Sequence, residues 1–207
     1  MAVAAKKTRI SEDNYFEMLE KSELKLEYWA GTVVGMAGAS SAHCEIEVNL
    51  IGDFLQKLQG RDCRPYNSNQ AVFIPARSAY VFPDLSVVCG KAERAENRGI
   101  SCLLNPTVLV EVISPSTSSK DETDKLLAYT TLRSVREYLI VYADQYCVKM
   151  HARTQADEIW STTIYSKLDD EIVLASCGVK LTLASIYQRV EFLEHAEDGV
   201  AEQGSEG

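Results

Sequence analysis

One carboxylate stands alone in an apolar run, Thr107-Val108-Leu109-Val110-Glu111-Val112-Ile113. Burying an unpaired carboxylate costs several kcal/mol, so a central strand of this composition needs a cation, a bound metal or a proton at Glu111. Asp84 is the natural companion. It follows Pro83, which interrupts backbone pairing, and precedes the apolar run Leu85 to Cys89. If the two runs pair as neighbouring strands, both carboxylates point into one mouth, an arrangement that suits a hard divalent cation such as Mg²⁺. The competing reading is a strand-end carboxylate beside a core salt bridge. Lys125 lies on the helix after the Ser114 to Ser119 loop, and its four-carbon stem can return an ammonium to that mouth. There it would orient attacking water and offset charge building on a phosphate. Its plainer alternative is an exposed ion pair with Asp121, one helical turn away.

The elements that must hold these residues are readable from pattern. Ser11-Glu12-Asp13-Asn14 is a helix start, with Ser11 as N-cap. Leu24 to Tyr28 alternates with period two, Trp29-Ala30-Gly31 can turn, and Thr32 to Met36 returns, which makes a hairpin. From Ser41 to Leu58, apolar residues recur at steps of three and four and Gly60 closes the helix. Strands are expected at Cys63 to Asn67, Ala71 to Ile74 and Tyr80 to Cys89, the last broken by Pro83. Gly90 to Asn105 reads as a loop and Asp121 to Leu132 as a helix, with Thr117 or Ser119 as its cap. Glu137 to Tyr142 with Cys147 to His151 reads as a second hairpin, Ile159 to Tyr165 and Glu171 to Leu174 as further strands, and Leu183 to Tyr187 as a helical turn.

The chain has 207 residues, 46% hydrophobic and 25% charged, which suits one globular domain able to bury its own core. Its net charge of −9 argues against coating nucleic acid through bulk positive charge. Six of the acids fall between Glu191 and Gly207, where there is no Lys or Arg; without them 24 acidic side chains face 21 basic ones. Any DNA contact is therefore expected to be local. The six cysteines form no C-x-x-C pair, which excludes zinc-ribbon and thioredoxin-like readings. They are read as mostly small core residues of a reduced, cytoplasmic, soluble protein. No stretch approaches the roughly 18 apolar residues of a spanning helix. The expected organisation is a flexible start over residues 1–10, one domain over 11–190 and an acidic disordered tail over 191–207.

Pro83-Asp84, then Val110-Glu111-Val112-Ile113-Ser114-Pro115-Ser116-Thr117, then Asp121, Lys125 and Tyr129, together resemble the signature of the Uma-two family of restriction-endonuclease-like proteins. Leu26-Glu27-Tyr28-Trp29-Ala30-Gly31 is similar to that family's E-x-x-x-G hairpin. Met36 to His43 resembles its approach to the long helix, and Val135-Arg136-Glu137-Tyr138 a later strand start. The resemblance runs from about Ser11 to Val190.

It implies the PD-(D/E)xK nuclease superfamily: an α/β fold with mixed β-sheet flanked by helices, preceded here by an N-terminal helix and β-hairpin, and Mg²⁺- or Mn²⁺-dependent hydrolysis of phosphodiesters. Asp84 and Glu111 would be metal ligands, joined by the Val112 carbonyl and by Glu27 as a third carboxylate, and His43 would contact substrate. The superfamily's usual lysine, two positions after the acid, is replaced by Ile113, and Lys125 would take over its role. Plainer readings of Glu27 and His43 are a hairpin surface charge and a helix cap. The chain is thus expected to cut DNA, with no membrane partner and as a homodimer if both strands are cut. The rival from another class is an inactive nuclease-fold module that binds nucleic acid or a protein.

Overall fold

The computed structural model describes residues 9–36, 38–113, 118–154 and 159–192, with backbone alone for residues 118–121. In chain order the elements are α1 (Glu12–Lys21), β1 (Leu26–Trp29), β2 (Thr32–Gly35), α2 (Ser41–Lys57), β3 (Cys63–Asn67), β4 (Ala71–Ile74), β5 (Ala79–Val81), β6 (Leu85–Cys89), β7 (Arg94–Asn97), β8 (Ile100–Leu103), β9 (Val108–Ile113), α3 (Ser118–Tyr129), β10 (Glu137–Tyr142), β11 (Val148–Arg153), β12 (Trp160–Tyr165), β13 (Glu171–Leu174), β14 (Val179–Thr182) and α4 (Leu183–Ile186). Two six-stranded mixed sheets result, ordered β2-β1-β5-β4-β8-β7 and β12-β11-β10-β9-β6-β3, with β13 and β14 as a separate pair.

Local chemistry accounts for the elements that matter to the site. The Ser11 hydroxyl accepts from the Asn14 amide at 3.2 Å, and α1 buries Tyr15 and Phe16. In the β1–β2 hairpin, Ala30 and Gly31 both adopt positive φ, +45° and +100°, as a two-residue turn matched to strand twist requires. A Cβ on Gly31 would lie 2.9 Å from Cβ of Arg9, so position 31 has no room for a side chain. Helix α2 is capped by Ser40, whose hydroxyl accepts from the His43 amide at 3.2 Å, and its buried stripe is Ala42, Ile46, Leu50 and Phe54.

Strand β9 is central and buried along its whole length. It runs antiparallel to β6, with Leu85 opposite Val110, and parallel to β10. The two runs that carry Asp84 and Glu111 are therefore neighbours. Period-two alternation sends Val108, Val110 and Val112 into the core beneath α2, while Leu109 and Ile113 join Val72, Ile74, Val81 and Tyr129 in the core between the two sheets. Glu111 shares the second face, so the fold turns it toward β1 and α3.

Three expectations need correction. Residues 90–105 hold the hairpin β7–β8, closed by Arg98 and Gly99 at φ +46° and +81°. β7 is the edge strand and carries Arg94, Glu96 and Asn97, so it lacks the apolar alternation that marks a half-buried strand, while the four-residue β8 sits between β4 and β7. Helix α3 begins at Ser118 rather than Asp121, so Ser119 lies inside it, while Thr117 falls outside the described residues, as do residues 1–8 and 193–207. Cys63 and Cys89, expected as reduced core thiols, face each other in the β3–β6 register and form a disulfide. Cys102 and Cys177 are buried thiols as expected.

The disulfide closes a loop of sequence separation 26, for which chain-entropy reasoning gives about 3 kcal/mol. Urea unfolding of the Cys63→Ser/Cys89→Ser double variant should show a loss of that order against the oxidised protein. An unchanged midpoint would mean that the cross-link does not form in solution.

His151 on β11 is buried, stacks on Tyr138 at 5.8 Å and places Nδ1 2.9 Å from the Thr162 hydroxyl, while its Nε2 has no hydrogen-bond partner. Burial lowers its pKa; the Glu122 carboxylate opposes that shift and Lys149 adds to it. A histidine held neutral in the fold contributes stability above the unfolded value of about 6.5, and that contribution is lost as pH falls through the window below it. Unfolding measured at pH 7.5 and 5.5 should therefore show a smaller pH-dependent loss for His151→Phe than for the natural chain.

Candidate active site

Asp84 sits between Pro83 and the first residue of β6 and is 5% exposed. Its Oδ2 accepts the Val112 amide at 2.6 Å, which ties β6 to β9 beside Glu111. Its Oδ1 lies 3.3 Å from Nε2 of His43, at the N-terminal turn of α2. Glu111 is 4% exposed. One oxygen accepts the Tyr129 hydroxyl at 2.6 Å and the other meets Nζ of Lys125 at 2.9 Å. Both partners come from α3, one helical turn apart, so the helix delivers a cation and a hydrogen bond to the same carboxylate.

Glu27 reaches this cluster from β1. Its Oε1 accepts the Phe82 amide at 3.2 Å and lies 3.5 Å from Nζ of Lys125, and its Oε2 accepts the Trp29 indole N–H at 3.1 Å. The surface-charge alternative for Glu27 is therefore wrong: the residue is buried, 5% exposed. Lys125 bridges Glu27 and Glu111, and the alternative partner, the Asp121 side chain, lies outside the described residues. His43 is half-buried at the helix start, where Ser40 and not His43 supplies the cap.

The electrostatics follow from burial. Burial pushes the Glu111 carboxyl up to about 7; Lys125 opposes the rise, Asp84 and Glu27 add to it, and the Tyr129 hydrogen bond opposes it. For Lys125 burial acts against the charge, but the Glu111 and Glu27 carboxylates outweigh it and raise its pKa, so the ammonium stays charged. Burial also disfavours charge on His43, yet Asp84, through its hydrogen bond and its charge, holds the imidazole above the usual histidine range, with Glu47 and Glu111 contributing.

The expected side chains form two contact sets, Glu27–Lys125–Glu111 and His43–Asp84, which adjoin where the amide of Val112, the residue after Glu111, donates to Asp84. Two contributors had no role assigned from sequence. Tyr129, quoted above only as part of the family signature, has its hydroxyl on Glu111. Glu47 stands one turn after His43, and His43, Glu47 and Asp84 each offer a ligand atom within 4.8 Å of the others. The His43-x-x-x-Glu47 spacing was a usable signal, since positions four apart share a helix face.

Carboxylates from a strand end and a central strand and a lysine from the following helix thus meet on the mixed sheet of a nuclease-like fold. The chain belongs to the Uma-two (Uma2) family: that family's model, described as "Putative restriction endonuclease", matches residues 12–184. Two relatives are the "Uncharacterized protein slr1290" and the "Uncharacterized protein sll1609" of Synechocystis sp.. The first is 29% identical over 89% of this chain and 94% of its own length, the second 26% identical over 79% and 91%. A similar solved structure is described as a "putative nuclease belonging to DUF820" from Anabaena variabilis. It superposes with a TM-score of 0.68 at 18% identity, covering 84% of this chain and 96% of its own, which shows the shared fold. Among the described residues no helix is long and apolar enough to cross a membrane.

Proposed function

We propose that the chain is a divalent-metal-dependent endonuclease that hydrolyses DNA phosphodiester bonds, carried by the unit spanning residues 11–190. The observation that supports this best is the reach of Lys125 from α3 to Glu111, 2.9 Å away, in place of the lysine that Ile113 displaces. The donor set fits a hard cation: Asp84 and Glu111 come from adjacent strands, and each carboxylate oxygen keeps a second lone pair after its hydrogen bond. Asp84, Glu111 and the Val112 carbonyl would hold Mg²⁺ or Mn²⁺. When bound, the cation would supply Lewis-acid polarisation of the phosphate and activation of water.

The chain's own residues do the positioning. Val112 fixes the Asp84 carboxylate through its amide, and Tyr129 fixes Glu111. Lys125 presents a permanent ammonium toward the side on which charge builds in an in-line attack. Glu27, gripped by the Phe82 amide and the Trp29 indole, holds Lys125 in place. A cytoplasmic location and pairing of two copies to cut both strands belong to the same reading.

The test is incubation of purified protein with supercoiled, linear and single-stranded DNA in Mn²⁺, and again with EDTA. Metal-dependent loss of the supercoiled form is the expected result. No cleavage of any form in Mn²⁺, with DNA binding retained, would favour an inactive nuclease-fold binding module.

A further inference from the structure

The carboxylates around the site divide into two groups by the cation that each already has. Glu27 and Glu111 share Lys125, and each of their four oxygens has a protein donor. Asp84 and Glu47 face only His43: among the described residues no lysine or arginine forms an ion pair with either. Once a metal ion displaces the proton that Asp84 favours on His43, two carboxylates and a neutral imidazole carry a formal charge of −2, which a divalent ion would balance.

We propose that His43, Glu47 and Asp84 form a divalent-cation pocket in this chain, and that its imidazole selects Mn²⁺, Co²⁺ or Zn²⁺ over Mg²⁺ and Ca²⁺. The inference rests on the metal-dependent reading above, in which Asp84 is already a ligand; it adds His43 and Glu47 and changes the class of ion.

Geometry and chemistry support it together. The three ligand atoms lie within 4.8 Å of one another. Donors at about 2.1 Å from one ion stand roughly 3 to 4 Å apart, so loading asks for side-chain movement and not for rearranged backbone. Both elements are fixed before any ion arrives. Ser40 anchors the first turn of α2 through the His43 amide, and Val112 holds Asp84 by Oδ2, which leaves Oδ1 toward the imidazole. Such a hydrogen bond behind a ligating carboxylate orients it toward a metal. Helical spacing puts Glu47 on the same face as His43. Both are only partly buried, which gives an ion a path in from solvent.

The choice of ion follows from the nitrogen donor. Mg²⁺ is bound through oxygen and gives up its water reluctantly, whereas imidazole suits the later first-row ions, whose affinity rises from Mn²⁺ through Co²⁺. A substrate-binding histidine would not produce that preference.

The experiment is titration of the full chain with Co²⁺, followed by calorimetry and by the visible absorption of the bound ion, for the natural chain and for His43→Asn, Glu47→Gln and Glu45→Gln. Glu45 is exposed on the same helix and serves as the control. One Co²⁺ per chain is expected, weakened at least about tenfold by His43→Asn and by Glu47→Gln, unchanged by Glu45→Gln, and not displaced by a hundredfold excess of Mg²⁺. Loss of the nitrogen donor should also shift the absorption bands. Retained thermal midpoints would show that the variants are folded. Co²⁺ binding that neither His43→Asn nor Glu47→Gln alters, or that equimolar Mg²⁺ displaces, would overturn the proposal. Cleavage that persists in Mg²⁺ in both variants would leave the nuclease reading standing without this pocket, whereas a natural chain that binds no divalent ion would remove both.

Discussion

Lys125→Met is expected to lower the stability of the metal-free protein by about 3 kcal/mol and to reduce cleavage by about a hundredfold or more. The stability loss comes from what is left behind. The Glu27 and Glu111 side chains are 7% and 5% exposed, and Lys125 is the cation that contacts both. Without it two buried carboxylates face one another and must take up a proton or find another cation. Urea unfolding with and without Mn²⁺ checks this: the metal should recover part of the lost stability in Lys125→Met and do much less in the natural chain. A purely catalytic lysine would lose cleavage at nearly constant stability. A purely structural one would lose stability while the folded fraction cleaved at the normal rate. The burial of the ion pair predicts both losses together.

The second large effect is expected for Glu111→Gln, with cleavage falling about a thousandfold and the fold retained. Glutamine keeps the shape, and its carbonyl oxygen can still accept the Tyr129 hydroxyl, so β9 and α3 remain joined through that contact. Lys125 keeps Glu27. What disappears is the negative charge beside Asp84, and with it the pairing of two strand carboxylates that would grip a hard cation. Glu27→Gln makes the comparison informative. Glu27 is held by the Phe82 amide and the Trp29 indole and acts through Lys125, so its loss should depress the rate less than that of Glu111. Single-turnover rates at saturating Mn²⁺, with circular dichroism to confirm folding, separate the two variants.

Why so much of this centre was legible is a matter of energetic cost. A charge in the middle of an apolar strand is too expensive to be incidental, so Glu111 announced itself, and Pro83 marked the break in pairing that leaves Asp84 at a strand end. The long amphipathic stripe of α2 and the Ser11 cap rest on local periodicity and hydrogen bonding, which a sequence displays directly. The parts that were missed depend on contacts between distant segments. Cys63 and Cys89 pair only because the β3–β6 register sets them opposite one another. Glu47 joins the site only because the start of α2 lies against Asp84. Strand β7 is polar and lies at the sheet edge, and β8 is four residues long, too short to stand out as a strand in the sequence. The bridge from Lys125 to Glu27 links α3 to a strand of the other sheet, a contact that no spacing within either segment encodes.

The central claim is that the carboxylates gathered around β6 and β9 make a metal-dependent phosphodiester-hydrolysing centre. Its most direct test is Mn²⁺-dependent nicking of supercoiled plasmid by the natural chain and by Asp84→Asn, purified in parallel. The asparagine carbonyl can still accept the Val112 amide, so the two proteins should share a fold. Nicking by the natural chain that EDTA abolishes and that Asp84→Asn lacks is the expected result. Equal nicking by both proteins would contradict it.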